Sequence, residues 1–358
     1  MKLGILADCH LGVNKFRKIK DFQNAYCTLN NVLFEEAIDY YIKSKINCLA
    51  IAGDLFEVPN PDIMAITIAM KAFKKLEENN IDVYILGGNH DYSQRLNAAG
   101  YHAFDVFKDC KNVKTITDDV KSYLLQDDVQ LICAPYKTLN EGETYKKIND
   151  FKESNSNSKN ILMIHGYVAL EEEEADEDSL YYLNRRAIQG IDLTICGHIH
   201  LQRLIETKSF KILTPGSLMP PHSVDEKFSS YAWIYDTEKN KVTQKKLKNS
   251  PEIFQRFIKD KLELDTFLEE ISNDKNASKN FYFIRYNGNV EDIDEYLYRK
   301  ALESGLVLSL TTQEMDILDT EDEEYSSQNP SAMEFWNWIK ENHPEYYEEF
   351  LENINKED

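Results

Sequence analysis

The chain has 358 residues and a formal net charge of −21 at pH 7, with 42% hydrophobic and 29% charged residues, a composition typical of globular proteins. This length predicts about two domains, and no apolar run approaches the roughly 18 residues that a membrane helix needs. Asp8 and His10 interrupt the first apolar stretch, which is not the pattern of a signal peptide, and we expect a cytoplasmic protein.

The first 200 residues alternate short apolar runs with longer amphipathic stretches. The apolar runs, typical of buried strands, lie near Leu3, Cys48, Val83, Leu162 and Leu193. Residues 21–43 and 61–78 have helical spacing and good helix formers. Alternating strands and helices predict an α/β layered fold with a largely parallel sheet.

A strand-rich segment follows. Residues 203–217 and 229–247 have the pattern of two hairpins, the second turning at Lys239 and Asn240, and we expect them to build a second sheet packed on the first. After Pro251 the pattern predicts a helix over residues 252–271, a strand near Tyr282, a helix over 292–303 and a strand near Val307.

This pattern divides the chain into four parts. A large α/β domain is expected over residues 1–250 and a small α+β domain over 251–315. Residues 316–330 are acidic and poor in apolar side chains, which is typical of a linker. The aromatic-rich end, 331–358, is predicted to form two short helices.

The negative charge is uneven along the chain. From Glu314 to Asp358 there are 15 acidic and 2 basic residues, and a second acidic block occupies residues 171–178. A chain with this much negative charge is not expected to bind nucleic acid over its general surface. Any DNA-binding surface must therefore be local. The six cysteines include no CxxC pair, which argues against a zinc cassette or a disulfide framework.

Five polar motifs stand directly after predicted strands, where open α/β folds place their binding sites. They are Asp8-Cys9-His10, Gly53-Asp54, Gly88-Asn89-His90-Asp91, His165-Gly166 and Gly197-His198-Ile199-His200. Each alone has an ordinary explanation, a cap or turn for the Asp and Asn motifs and a buried core imidazole for His165. Together they contain five of the eight histidines, and their joint order points to a metal site.

In this order and spacing the motifs resemble the calcineurin-like metallophosphoesterases over roughly residues 1–240. The resemblance implies an α/β layered core of two packed sheets flanked by helices, followed by a small α+β capping domain and a helical C-terminal tail. It implies two divalent ions, the first held by Asp8, His10 and His200. The second would be held by Asn89, His165 and His198, with Asp54 bridging both.

The residue types suit that chemistry. Two carboxylates among seven ligands leave a net positive charge beside two divalent ions, which attracts a phosphodiester and stabilises the charge that develops during attack. Mixed imidazole and carboxylate ligands favour Mn²⁺, and they also suit Mg²⁺, Fe or Zn²⁺. By the same resemblance, His90 would contact the scissile phosphate and protonate the leaving oxygen. Asp91 would orient that imidazole, unless it is a plain turn residue.

Details around the ligands distinguish families within the superfamily. Protein Ser/Thr phosphatases continue the Gly-Asp motif with Asp-Arg-Gly and have Asn-His-Glu, whereas here the later motif ends in Asp91. The segments ADCHLG, GDLFE and TPGSL are similar to the SbcD family of double-strand-break repair nucleases. The compact length and short tail look most like its bacteriophage recombination endonuclease subunit, or a short SbcD. Glu57 stands where Asp is more usual in that family, and it is not expected to be a ligand.

The SbcD resemblance implies a nuclease of DNA repair, recombination and replication, with 3′ to 5′ exonuclease activity on double-strand ends and endonuclease activity on single strands. It implies an SbcC-type ATPase partner and a homodimer within a heterotetramer, with dimer contacts in residues 21–43 and 61–78. Candidate DNA-binding residues are Lys15, Arg17, Lys18 and Lys20, with a weaker basic cluster at Lys245, Lys246 and Lys248. Candidate partner-binding residues are Phe335, Trp336, Trp338, Tyr346, Tyr347 and Phe350.

Several alternatives stay open at this point. The basic segment after the first motif is equally explained as a solvated loop, and the tail aromatics could pack on their own domain. A small-molecule phosphodiesterase of the same superfamily is the rival function, although it would need neither the capping unit nor the aromatic tail. A catalytically silent scaffold is disfavoured by the complete ligand set and by His90.

Overall fold

The computed structural model describes residues 1–12, 20–93, 102–139, 142–155, 158–169, 182–219, 228–273, 280–288, 294 and 307–312. Contacts divide the chain into two compact units, the first covering Met1–Gln255 with two short later segments and the second beginning at Arg256. The four-part division predicted from the sequence stays a prediction, because its last two parts lie outside the described residues.

The described helices are α1 (Lys20–Lys43), α2 (Ile63–Glu78), α3 (Gly142–Ser154) and α4 (Lys261–Asn273). The first described strands are β1 (Lys2–Leu6), β2 (Cys48–Ile51), β3 (Asp82–Leu86), β4 (Val113–Ile116), β5 (Lys121–Leu124), β6 (Val129–Ala134), β7 (Lys159–His165), β8 (Tyr167–Ala169) and β9 (Tyr182–Asn184). The later ones are β10 (Leu193–Gly197), β11 (Arg203–Glu206), β12 (Lys211–Thr214), β13 (Tyr231–Asp236), β14 (Lys241–Lys246), β15 (Glu252–Ile258), β16 (Asn280–Tyr286) and β17 (Val307–Thr312).

Two six-stranded sheets form the first unit. One has the order β14-β13-β1-β2-β3-β4 and the other β11-β12-β10-β7-β6-β5. Strands β1 to β4 are parallel, as are β6, β7, β10 and β12, and antiparallel strands extend the edges. The predicted two-sheet layered fold with flanking helices is confirmed.

The sheets pack face to face through one apolar cluster. Leu3, Ile5 and Trp233 from the first sheet lie in the same buried cluster as Met163 and Ile195 from the second. The opposite face of the second sheet packs in a separate cluster that includes Ile148 of α3. Burial on both faces explains why these strands are continuous apolar runs rather than alternating ones.

Helices α1 and α2 are amphipathic. The hydroxyl of Tyr41 in α1 donates to the Ile5 carbonyl at 2.6 Å and accepts from the Trp233 amide at 3.2 Å, which ties the helix to β1 and β13. Helix α2 begins at an Asp62 N-cap whose carboxylate accepts from the Ala65 amide at 2.7 Å. Its buried face includes Phe73 and Leu76.

The predicted distribution of the strands between the two sheets is wrong. The apolar runs do not share one sheet, because β1 to β3 lie in the first sheet and β7 and β10 in the second. The two predicted hairpins form, but each joins a different sheet, β11–β12 beside β10 and β13–β14 beside β1. They satisfy backbone groups that an unpaired sheet edge would leave open.

A three-stranded sheet, ordered β15-β16-β17, follows with α4. The helix predicted over residues 252–271 is wrong in its first part, because residues 252–258 form β15. Aromatic and β-branched side chains favour a strand where a partner strand is available. The helix starts later, where the Asp260 carboxylate accepts from the Glu263 amide at 2.9 Å, and it buries Leu264 and Leu268.

Candidate metal centre

All five polar motifs lie at the carboxyl ends of central strands. Asp8, Asp54 and Asn89 follow β1, β2 and β3, which are neighbours in the first sheet. His165 ends β7, and His198 follows β10, its neighbour in the second sheet. The face-to-face packing of the sheets therefore brings two sets of strand ends to one place.

The backbone at these strand ends adopts the left-handed conformation at several non-glycine residues. Asp8, His10, Asp54 and His198 have φ values of 49°, 44°, 49° and 81°. Left-handed backbone of this kind costs free energy in residues with a side chain and is concentrated at functional sites. Asn30 of α1 supports the first of these turns, because its amide donates to the carbonyls of Cys9 and His10 at 2.9 and 3.1 Å.

Two glycines permit the close approach of the strand ends. Gly53 has a φ of +91°, and a Cβ there would overlap the His165 ring. A Cβ at Gly197 would overlap the Ala52 carbonyl. Only glycine allows both the positive φ and the contact at position 53.

The first predicted ligand set converges. Nε2 of His10 and Nε2 of His200 are 3.1 Å apart, and His200 Nε2 is 3.8 Å from a carboxylate oxygen of Asp8. One ligand atom from each of these three residues lies within 4.8 Å of the others. The Asp8 carboxylate also accepts from the His198 amide at 2.9 Å, which links the two sheets.

The second predicted set converges as well. Oδ1 of Asn89 lies 2.9 Å from Nε2 of His165 and 3.0 Å from Nδ1 of His198. The Ala52 carbonyl lies 2.8 Å from Nδ1 of His165 and accepts a hydrogen bond from it, so Nε2 is the nitrogen that faces Asn89.

Asp54 stands between the two sets. Its Oδ2 is 3.3 Å from Nε2 of His165 and 3.9 Å from Nε2 of His10, so one carboxylate oxygen is near a member of each set. Its Oδ1 accepts from the His90 amide at 2.9 Å. This is the position that a bridging ligand requires.

Glu57 was not predicted to take part, yet it contacts two of the site histidines. Its carboxylate oxygen Oε2 lies 2.7 Å from Nδ1 of His10, and its backbone carbonyl lies 2.7 Å from Nδ1 of His90. The side chain is buried, with 5% exposed. With Nδ1 engaged, Nε2 is the nitrogen that each of these imidazoles has left for a ligand or substrate.

The role predicted for Asp91 needs correction. Its carboxylate accepts from the backbone amides of Asp54 and Gly88, both at 2.9 Å, and is not the group bound to the His90 imidazole. The Glu57 carbonyl takes that place. The 3-10 turn of residues 89–91 directs the Asp91 side chain under the loop, where three backbone N–H groups need an acceptor.

The buried charges interact strongly. Burial raises the pKa of Asp8 to about 6. Burial alone would lower the pKa of His165, but the Asp54 carboxylate raises it to about 9. Burial also favours a raised pKa for Asp54, but His165 and the other imidazoles outweigh it and hold the pKa below its usual range. Burial and His165 lower the pKa of His198 to about 4.

These residues fit a pair of divalent cations. Asp8 and Asp54 are 0% and 1% exposed, and buried carboxylates need positive charge close by. The proton that Asp54 holds on His165 supplies part of that charge. Imidazole, carboxylate and amide oxygen are together the donors that Mn²⁺, Fe and Zn²⁺ accept.

The predicted DNA-contact and partner-contact residues lie in several parts of the chain. Lys15, Arg17 and Lys18, and the tail aromatics Phe335, Trp336, Trp338, Tyr346, Tyr347 and Phe350, are outside the described residues. Lys20 begins α1. Lys245 and Lys246 lie on β14, and both are exposed. No helix in the described ranges is long and apolar enough to cross a membrane.

Comparisons with known proteins identify the family. The family model "calcineurin-like phosphoesterase superfamily domain" matches residues 1–240. The DNA double-strand break repair protein Mre11 of Methanocaldococcus jannaschii is 30% identical over 208 residues, 56% of this chain and 51% of that protein. The Mre11 protein of Methanococcus maripaludis is 27% identical over 266 residues, 68% of this chain and 69% of that protein.

The chain thus aligns with about half the length of the first relative and about two thirds of the second. Among solved structures, a dimetal phosphatase from Danio rerio has a TM-score of 0.42 and 12% identity. That comparison covers 69% of this chain and 99% of the phosphatase.

Proposed function

The chain belongs to the calcineurin-like phosphoesterase superfamily, and from that premise we propose that it is a metal-dependent DNA nuclease that hydrolyses phosphodiester bonds. The main supporting observation is that Asp54 lies between two groups of side chains. One group is Asp8, His10 and His200, and the other is Asn89, His165 and His198. We assign those seven residues as ligands of two divalent ions, Mn²⁺ above the alternatives.

When bound, the two ions would supply positive charge for the phosphate and lower the pKa of an attacking water. The protein's part is to fix the ligands in place. The Ala52 carbonyl and the Glu57 carboxylate hold Nδ1 of His165 and His10, so each Nε2 faces the centre. Asp8 and Asp54 supply the only carboxylates of the set, which keeps the site attractive to an anionic substrate.

His90 is proposed to protonate the leaving oxygen. The Glu57 carbonyl holds its Nδ1, and the Asp54 carboxylate holds its backbone amide. Burial lowers the pKa of His90, although Asp54 and Glu57 oppose that shift. A bound phosphodiester adds negative charge beside the ring, which raises the pKa and favours the protonated form that a general acid needs.

DNA is proposed as the substrate because the aligned relatives carry the name of a double-strand break repair protein. With it we propose membership of the SbcD family, most like its bacteriophage subunits. The proposal includes 3′ to 5′ exonuclease and single-strand endonuclease activity and the cytoplasm as location. It also includes a homodimer that binds an SbcC-type ATPase through residues 331–358.

The test is cleavage of end-labelled duplex and of circular single-stranded DNA with Mn²⁺, with and without the ATPase partner. We expect the wild type to cleave and His90→Ser to lose activity while still binding metal. The matched control is His102→Asn, because Nδ1 of His102 only caps a local turn at the Phe104 amide, and Asn is also a good cap.

Failure to cleave DNA under any of these conditions, with both ions bound, would contradict the nuclease. Hydrolysis of bis-p-nitrophenyl phosphate without DNA cleavage would then favour a small-molecule phosphodiesterase. Loss of activity in His102→Asn as well would show that the His90→Ser result reflects general damage.

A further inference from the structure

A basic groove lies on the first unit, between the end of α1 and the hairpin of β13 and β14. It has a volume of about 550 Å³. Its charged lining residues are Lys2, Lys43, Lys45, Lys239 and Lys241, with one carboxylate, Asp236. All five lysines are exposed. We call this feature the lysine groove.

Little of this positive charge is neutralised by the protein. Asp236 lies 3.7 Å from Nζ of Lys239, a solvent-exposed pair that contributes little. Within the part of the chain that the structure describes, no carboxylate lies within 4.0 Å of the ammonium groups of Lys43, Lys45 or Lys241. In a chain of net charge −21, such a cluster is the kind of local surface that an anion requires.

The lysine groove is remote from the metal centre. Lys2 begins β1, whereas Asp8 follows its end, and Lys2 pairs in register with Asp236, which pairs with Lys241. A strand advances about 3.3 Å per residue, so the two features are separated by roughly the length of β1, about 17 Å. The groove is therefore a separate surface and not part of the metal site.

The composition of the groove favours nucleic acid over protein as its occupant. Three residues with hydroxyl groups, Tyr40, Ser44 and Thr243, line it beside the lysines. Lysine and hydroxyl side chains are the groups that contact phosphate oxygens in protein–DNA complexes. Protein–protein interfaces are instead depleted in lysine and built around apolar or aromatic anchors, and the one aliphatic lining residue, Ile234, is buried.

We propose that the lysine groove binds the phosphate backbone of DNA, at a second contact outside the metal centre. The identity of the nucleic acid rests on the proposed function. Contact there holds the DNA without regard to base sequence, because it involves phosphates alone.

The test is binding of a fluorescent duplex to the full chain in EDTA, followed by anisotropy over a series of KCl concentrations. We expect Lys45→Ala/Lys241→Ala to bind more weakly and to reduce the slope of log K against log [KCl] by about 2, about one unit for each lost phosphate contact. The control, Lys146→Ala/Lys208→Ala, removes two exposed lysines outside the groove and is expected to keep the wild-type slope.

Three results would overturn the proposal. The first is a salt slope of the groove variant equal to that of the wild type. The second is an equal loss of DNA affinity in the groove and control variants. The third is a wild type that does not bind duplex DNA. Polyglutamate is a model for an acidic protein. If its binding depends on the groove lysines and DNA binding does not, the groove belongs to an acidic protein instead.

Cleavage assays separate this proposal from the nuclease assignment. If the wild type cleaves DNA with Mn²⁺ and the groove variant binds as tightly as the wild type, only the groove proposal fails. If the wild type does not cleave but the groove variant loses affinity in EDTA, only the nuclease fails. Hydrolysis of bis-p-nitrophenyl phosphate is expected to be unchanged in the groove variant, because so small a substrate does not reach the groove.

Discussion

The carboxylate of Glu57 lies 2.7 Å from Nδ1 of His10, a predicted metal ligand whose other ring nitrogen faces His200. A carboxylate in this position orients the imidazole and makes its free nitrogen a better ligand. The backbone carbonyl of the same residue holds His90. One buried residue therefore positions both a proposed ligand and the proposed acid.

Glu57→Ala is expected to weaken Mn²⁺ binding by roughly 10- to 100-fold, because His10 loses the partner that fixes its ring. Glu57→Gln keeps an acceptor oxygen and is expected to lose less. Titration calorimetry on chelator-treated protein measures both. The control is Glu143→Ala, which removes an exposed glutamate of α3, and an affinity for Glu57→Ala equal to that of the control would contradict the positioning role.

Asp91→Ala is expected to lower the free energy of unfolding by about 2–4 kcal/mol, because the buried amides of Asp54 and Gly88 lose their acceptor. Asp91→Asn keeps one acceptor oxygen and is expected to cost less. Urea unfolding in EDTA gives the values, with exposed Asp109→Ala as the control. Unchanged stability together with lost cleavage would restore the predicted role of Asp91 in orienting His90.

Gly53→Ala and Gly190→Ala separate backbone strain from crowding. Both glycines have positive φ, +91° and +75°, but only at Gly53 would a Cβ meet other atoms. We expect Gly190→Ala to cost about 1–2 kcal/mol from the left-handed backbone alone, and to leave Mn²⁺ binding unchanged. Gly53→Ala is expected to lower the free energy of unfolding further and to weaken Mn²⁺ binding by displacing His165. Equal effects of the two changes would contradict the collision of a Cβ at position 53 with His165.

Metal binding is expected to release protons at pH 7.5. Burial alone would lower the pKa of His165, but Asp54 raises it to about 9, so the imidazole is protonated below that pH and must lose its proton to become a ligand. Affinity should therefore rise with pH up to about 9. Calorimetry in two buffers of different ionisation enthalpy measures the release, and identical heats in both buffers at pH 7.5 would refute it.

The sequence was sufficient to predict the layered fold and to place the candidate ligands at strand ends, because the motifs follow apolar runs long enough to identify. Convergence of Asp8 with His200 follows from that placement once two sheets pack together. The strand partners are harder to predict, because an apolar run does not reveal which sheet it joins. The sequence predicts a helix at β15 because the apolar side chains at 253, 254, 257 and 258 fit the spacing of a helix as well as that of a strand.

The contact of Glu57 with His10 was not predictable from spacing. An acidic residue three positions after Asp54 is normally solvent-exposed, and only the close pairing of the loops after β1 and β2 buries it. The available signal was its position directly after two apolar residues, Leu55 and Phe56, both fully buried. The role of Asp91 was not predictable for a related reason. Only the fold shows which buried backbone N–H groups need a side-chain acceptor.

The assignment of seven ligands to two ions is tested most directly by diffraction at the manganese absorption edge, on crystals grown with Mn²⁺. Two anomalous peaks are expected on either side of the Asp54 carboxylate, one against Asp8, His10 and His200, the other against Asn89, His165 and His198. A single peak, or peaks away from Asp54 in protein that is folded and saturated with Mn²⁺, would contradict the two-metal centre.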